Sequence, residues 1–149
     1  MSIEIKRLTK ENIYEFKSLI HLFNIVFEEE SKIGSEANSL SLLNNKAFVA
    51  LAAVDGETVV GGLTAYELPM YYSDNSEIFL YDLAVSPDHQ RMGVGKELLH
   101  GLKEHCRAKG IKTFFVMAHE EDAHAIEFYR ATGGKAEKVV NFVYDMEPQ

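Results

Sequence analysis

Apolar positions along this chain follow two periods, and each change from one to the other marks an element. Residues 3–8 alternate and predict a first strand. Ile13, Phe16, Ile20, Phe23 and Phe27 then recur at helical spacing, with Leu19 and Leu22 widening the face, so a helix follows with Thr9 or Asn12 as its cap. His21 falls inside this pattern and reads as a partly buried helix residue. Residues 40–43 predict a short second helix capped by Ser39. Residues 47–54 and 58–67 predict two strands joined at Asp55-Gly56, a hairpin signal, and Gly61 and Gly62 inside the second indicate a bulge or a close backbone approach.

Residues 78–85 are apolar and β-favouring except for Tyr81 and Asp82, which predicts a strand covered on both faces with one acid inside it. Pro87 ends that strand because it has no N–H to give to a ladder. Val94, Leu98, Leu99, Leu102 and Cys106 line one stripe of a long helix, opposite Lys96, Glu97, Lys103, Glu104 and Arg107, and Gly110 closes it. Residues 113–118 predict a fifth strand, and residues 123–132 a helix with Asp122 as N-cap, stopped by Gly133-Gly134. Residues 136–146 read as one long strand or as two short ones without a loop.

Composition narrows the class. A chain of 149 residues reads as a single domain over 1–149, large enough to bury about 70% of its unfolded surface. The first seven residues hold no long apolar run, and no stretch approaches the ~20 apolar residues of a membrane span. The expectation is a cytoplasmic protein with no membrane partner. Cys106 is the single cysteine and sits on an apolar stripe, so it reads as packing rather than a nucleophile. The six histidines lack ligand spacing, and no metal is expected.

The net charge of −8 is uneven: residues 90–112 carry about +4, leaving −12 for the rest. A basic segment in an acidic chain suits an anionic ligand and a cationic substrate, and argues against nucleic acid. Ordinary solvated surface is the other reading of the same charges.

The basic segment opens with Gln90-Arg91-Met92-Gly93-Val94-Gly95, between strand and helix. Glycines there let the backbone approach a ligand, and the unpaired N–H groups of a helix N-terminus, beside Arg91 and Lys96, make a site for a pyrophosphate. The alternative is that two glycines merely permit a tight turn. It is not a P-loop, since Gln90 and Glu97 stand where that motif needs Gly and Ser or Thr; nor is it a dinucleotide fingerprint, since Leu98 replaces the third Gly.

Gln90-Arg91-Met92-Gly93-Val94-Gly95 after a strand ending in Leu83-Ala84-Val85-Ser86-Pro87 resembles motif A of the GNAT superfamily of N-acetyltransferases. Ala125, Tyr129 and Gly133 match a second hallmark of that superfamily, Ala-x-x-x-Tyr-x-x-x-Gly. Residues 48–53, 59–69 and 76–85 are similar, more closely, to the class I aminoglycoside 3-N-acetyltransferases.

The resemblance implies an α/β (α+β) GNAT fold: a mixed, mostly antiparallel sheet of six to seven strands, flanked by about four helices and splayed between strands 4 and 5. It implies acetyl-CoA as acyl donor and direct transfer to a cationic primary amine, with an aminoglycoside 3-amino group as the favoured acceptor. Another amine (polyamine, amino acid or protein N-terminus) and a CoA-binding module without turnover are the alternatives. A homodimer is implied by analogy alone.

By residue, the resemblance gives Leu83, Ala84 and Val85 to the pantetheine and thioester through main-chain groups. Gln90, Arg91, Met92, Gly93, Val94, Gly95 and Lys96 go to the pyrophosphate, and Asp122, Ala125 and Tyr129 complete the cofactor set. Asp122 stands where many members carry Asn, and an ionised carboxylate cannot donate to the cofactor. Tyr129 takes the part of general acid and Asp82 of general base, with a buried structural acid as the other reading of Asp82. Glu28, Glu29, Tyr81, Asp82, Glu120 and Asp145 are the candidates for acceptor binding.

Overall fold

A computed structural model describes residues 2–30 and 32–147. They form two compact units, one running to Met117 and the other beginning at Ala118.

In the first unit, β1 (Ile3–Arg7), β2 (Phe48–Asp55), β3 (Thr58–Pro69), β4 (Ser76–Val85) and β5 (Phe114–Val116) form one sheet in chain order. The first three pairings are antiparallel and β4–β5 is parallel. Gly56, at φ 65°, and Glu57 make the two-residue loop between β2 and β3, with glycine at the position where such a turn demands positive φ. Helices α1 (Ile13–Val26) and α2 (Glu36–Leu43) pack around Phe48, Ala50, Ala52 and Ala84 on one face of the sheet. The long helix α3 (Val94–Lys109) lies on the other face, burying Val94, Leu98, Leu99, Leu102 and Cys106 as the stripe requires. With both faces covered, β2 reads as an unbroken apolar run.

Thr9 does cap, but it caps a 3₁₀ turn over Lys10–Asn12 in a reciprocal capping box with Asn12; Asn12 is then the N-cap of α1. Ser39 is not a cap. Ser35 holds that place by accepting from the Asn38 N–H, so α2 starts four residues earlier than the apolar pattern shows, and Ser39 is buried within it. His21 is exposed rather than partly buried, because it projects from the solvent side of α1.

Both glycines inside β3 are explained by contact. A β-bulge falls where Ala53 pairs Gly61 and Val54 pairs Val59. A Cβ on Gly62 would lie 2.7 Å from the Leu51 carbonyl oxygen and would also collide with both δ-methyls of Leu19. Gly62→Ala is therefore expected to overpack the seat of α1 and cost about 3 kcal/mol, which lowers Tm by about 6–12 °C. A melting curve checks it, and an unshifted Tm would mean that α1 can lift without loss.

In the second unit, α4 (Ala123–Ala131) has Asp122 as its N-cap, accepting from the Ala125 N–H at 3.0 Å. The strand expected over residues 136–146 is not there. Among the described residues none of this segment pairs with another strand, and Val139, Val140, Phe142, Val143, Tyr144 and Met146 are all exposed. Alternating β-favouring side chains cannot make a strand without a neighbour to complete the ladder. Among the described residues the sheet accordingly has five strands, not six or seven.

Candidate active site

The site begins with a single extra residue. Along β4, Leu80 pairs with Ala65 and Asp82 with Thr64, so Tyr81 has no partner of its own on β3. Strand side chains alternate between faces, and an unmatched residue breaks that alternation. Tyr81 and Asp82, adjacent in sequence, consequently line one cavity on the α1 side of the sheet.

The same bulge redirects the main chain. Before it, the Ile78 N–H bonds to Thr113 on the β5 side; after it, the Ser86 N–H bonds to Val60 on β3 at 2.8 Å. Strand alternation then gives Asp82 and Ala84 to β3 and turns the amides of Leu83 and Val85 to the other side. On that side β5 pairs only with Ile78, Phe79 and Leu80. The splay expected between strands 4 and 5 is thus the stretch of β4 beyond Leu80. Ala84 is the exception among the three expected main-chain ligands, since its polar groups face β3.

The Gln90 side chain donates to the Val85 carbonyl at 3.1 Å and ties the following loop to the strand end. Arg91 (φ 63°) and Gly93 (φ 83°) are both left-handed, and Gly93 is the N-cap of α3 with no side-chain cap. A Cβ at Gly93 would point into open space. Helix donors without a cap, an open approach at Gly93, and exposed Arg91 and Lys96 beside it form a cradle that fits a pyrophosphate. Val94 and Gly95 are buried and hold the helix on the sheet, and Met92 is exposed.

The cavity, about 500 Å³, is walled by Phe16, Ile20, Phe23 and Phe27 of α1 and its end, by Phe48 and Tyr66, and by Tyr81, with Glu29 and Asp82 as its acids. Glu29 is aimed there by the way α1 ends. The Glu28 N–H bonds to the Ile25 carbonyl and the Glu29 N–H to the Asn24 carbonyl, a Schellman ending with Glu28 in the left-handed position, φ 53°. Helices α3 and α4 end by the same motif, with Gly110 and Gly133 in that position. Only α1 puts a side-chain-bearing residue there, at a strain of about 1 kcal/mol. Glu28 itself is exposed and outside the cavity lining.

Burial, and secondarily the Glu29 carboxylate, hold the Asp82 carboxyl above the ordinary carboxylate range. Among the described residues Asp82 has no ion-pair partner. Burial, Tyr81 and Asp82 raise the Tyr66 phenol as well. Burial raises the Cys106 thiol, which fits packing and not attack.

The second unit holds the remaining candidates. Tyr129 lies on α4 with its ring 5.2 Å from that of Phe128, and its carbonyl accepts from the Gly134 N–H at 2.8 Å. The Asp122 carboxylate is engaged as N-cap, a structural use that accounts for an acid in that place. Glu120 is exposed, and Asp145 accepts from the Glu147 N–H. Of the acceptor candidates, the cavity brings together Glu29, Tyr81 and Asp82. Its lining adds Asn24, Lys32, Thr64 and Tyr66, which the sequence reading missed. Thr64 and Tyr66 had a signal, since they follow Gly62 at period two on the same face of β3; Asn24 and Lys32 had none.

Residues 14–133 match the acetyltransferase (GNAT) family. The fold is similar to an aminoglycoside acetyltransferase, meta-AAC0020, from an uncultured soil metagenomic sample, solved in complex with trehalose (37% identity, 97% of both chains, TM-score 0.94). The same protein in complex with sisomicin gives 36% identity, the same coverage and TM-score 0.94. A second aminoglycoside acetyltransferase, HMB0005, from an uncultured soil metagenomic sample, is 34% identical over 99% of this chain and 100% of that one, with TM-score 0.94. The [ribosomal protein bS18]-alanine N-acetyltransferase of Escherichia coli (strain K12) is 32% identical over 73 residues, 49% of this chain. That match spans about half the length, 48%, of the curated relative. Among the described residues, no helix is long and apolar enough to cross a membrane.

Proposed function

The chain belongs to the acetyltransferase (GNAT) family, and from that premise we propose that it acetylates a cationic primary amine, an aminoglycoside at its 3-amino group, as one cytoplasmic catalytic domain. The family's acyl donor is acetyl-CoA. The observation that carries the acceptor class is the cavity at the β4 bulge, which Glu29 and Asp82 line together with Tyr66 and Tyr81. Two carboxylates and aromatic walls suit a polycation with apolar ring faces.

Bound to this chain, acetyl-CoA supplies an acetyl group activated as a thioester. Amides at the start of α3, with Arg91 and Lys96, would hold the pyrophosphate. The amides of Leu83 and Val85 would donate to the pantetheine arm and the acyl carbonyl. Backbone donors of this kind contribute about 3 kcal/mol each. Asp82 accepts a proton from the acceptor ammonium, and burial, which raises its affinity for protons above that of an ordinary carboxylate, suits it to that task. Tyr129 keeps the role its motif implies, giving a proton to the departing thiolate; a phenol with a reference pKa near 10 is protonated at pH 7. Tyr129→Phe is therefore expected to lower turnover by about 10²-fold and to weaken CoA affinity much less. Titration of CoA beside steady-state rates checks it, and equal turnover would remove the tyrosine from the chemistry.

A second reading has its own observation. The ribosomal-protein-alanine acetyltransferase match makes a protein N-terminus the rival acceptor. Release of CoA thiol with gentamicin, kanamycin, spermidine and a short peptide as separate acceptors decides between them. Turnover with gentamicin, and acetyl found on the 3-amino group by NMR, supports the aminoglycoside reading. Turnover with the peptide alone retires it.

A further inference from the structure

Resting on the acceptor reading above, we infer that Lys32 is an internal counter-cation of the cavity, and that an acceptor ammonium must displace it from Glu29 in order to bind. Lys32 lines the same cavity as Glu29, Tyr81 and Asp82. Its Nζ lies 2.8 Å from Glu29 Oε2. The pairing is built into the backbone on both sides. The Schellman ending of α1 fixes Glu29, and the Asn24 amide, in the orientation that satisfies both its ends, places its oxygen 3.3 Å from the Lys32 N–H and its nitrogen 3.3 Å from the Glu30 carbonyl, so that it can tie the chain at Lys32. The hydrogen bond to Glu29 also raises the Lys32 ammonium above its ordinary range, so it is charged whenever the site works.

The two side chains are 73% and 42% exposed, so the pair is weak enough to exchange. A monoamine that takes the place of Lys32 trades one ion pair for another and gains little. A polycation trades that pair and still has a second ammonium for Asp82, which among the described residues has no ion-pair partner. Lys32 therefore sets a threshold at Glu29 that favours acceptors with enough charges to engage Glu29 as well as Asp82, a repulsive element serving specificity.

Calorimetric titration of sisomicin and of n-butylamine at low salt, against wild type, Lys32→Met, Lys32→Arg, Glu29→Gln and the Lys32→Met/Glu29→Gln pair, tests it. Lys32→Met is expected to tighten sisomicin about two- to fivefold and to bring butylamine binding into range, with Lys32→Arg unchanged. In the Glu29→Gln background the gain from Lys32→Met should vanish, because no carboxylate is left to release. Wild type that binds sisomicin, with Lys32→Met no tighter or equally tighter without Glu29, overturns the inference and leaves the acceptor reading standing. Absence of sisomicin and butylamine binding in every variant overturns both.

Discussion

Asp82→Asn is expected to lower turnover by about 10²–10⁴-fold while raising stability at neutral pH. The two effects come from one cause. Burial and the neighbouring Glu29 raise the folded-state pKa of Asp82, so the folded protein binds this proton more tightly than the unfolded chain does. The resulting stabilisation is fully present below the ordinary carboxylate pKa and is lost as pH rises through the raised folded value. At neutral pH the charged form is a burden on the fold that asparagine removes. Thermal melts of both proteins at pH 8 and near pH 4 measure it: the variant should melt higher at pH 8, and its advantage should shrink at pH 4. A variant that melts lower at pH 8 would make Asp82 a structural acid, and unchanged turnover would deny it the part of base.

Gly93→Asp is expected to weaken CoA binding by at least about 100-fold with the fold retained. A Cβ at Gly93 meets nothing within 4 Å, so the side chain leaves the backbone into open space. Its cost to the fold is the left-handed φ of 83°, about 1 kcal/mol, and aspartate is among the residues that tolerate it best. What it adds is a carboxylate at the mouth of uncapped helix donors, where it caps α3 itself and repels a pyrophosphate. Calorimetry with CoA and circular dichroism separate the outcomes. Normal CoA affinity in a folded variant would move the pyrophosphate away from this turn.

Much of the fold is written locally. The helix stripes of α1 and α3, the hairpin at Gly56, the stop at Pro87 and the Asp122 cap are consequences of period and of residue chemistry within a few positions, and the sequence alone predicts them. The cradle at Gly93 is legible for the same reason, since a strand, a glycine turn and a helix N-terminus are contiguous. Where local pattern lacks its tertiary partner it misleads. Residues 136–146 have the composition of strands, but a strand exists only with a neighbour, and none of the described residues pairs with them.

The sequence by itself determined the order of the main elements from β1 to α4, the family, and the acid in β4. The tertiary structure alone decided that Tyr81 and Asp82 share a face, that Leu83 and Val85 rather than Ala84 turn their amides to the open side, and that Lys32 meets Glu29. The first two follow from one unmatched residue in the β3–β4 register, which shifts the parity of everything after it and is invisible until the partner strand is in place. The third follows from a helix ending at Glu28, where a left-handed residue without glycine carries no recognisable mark in the chain.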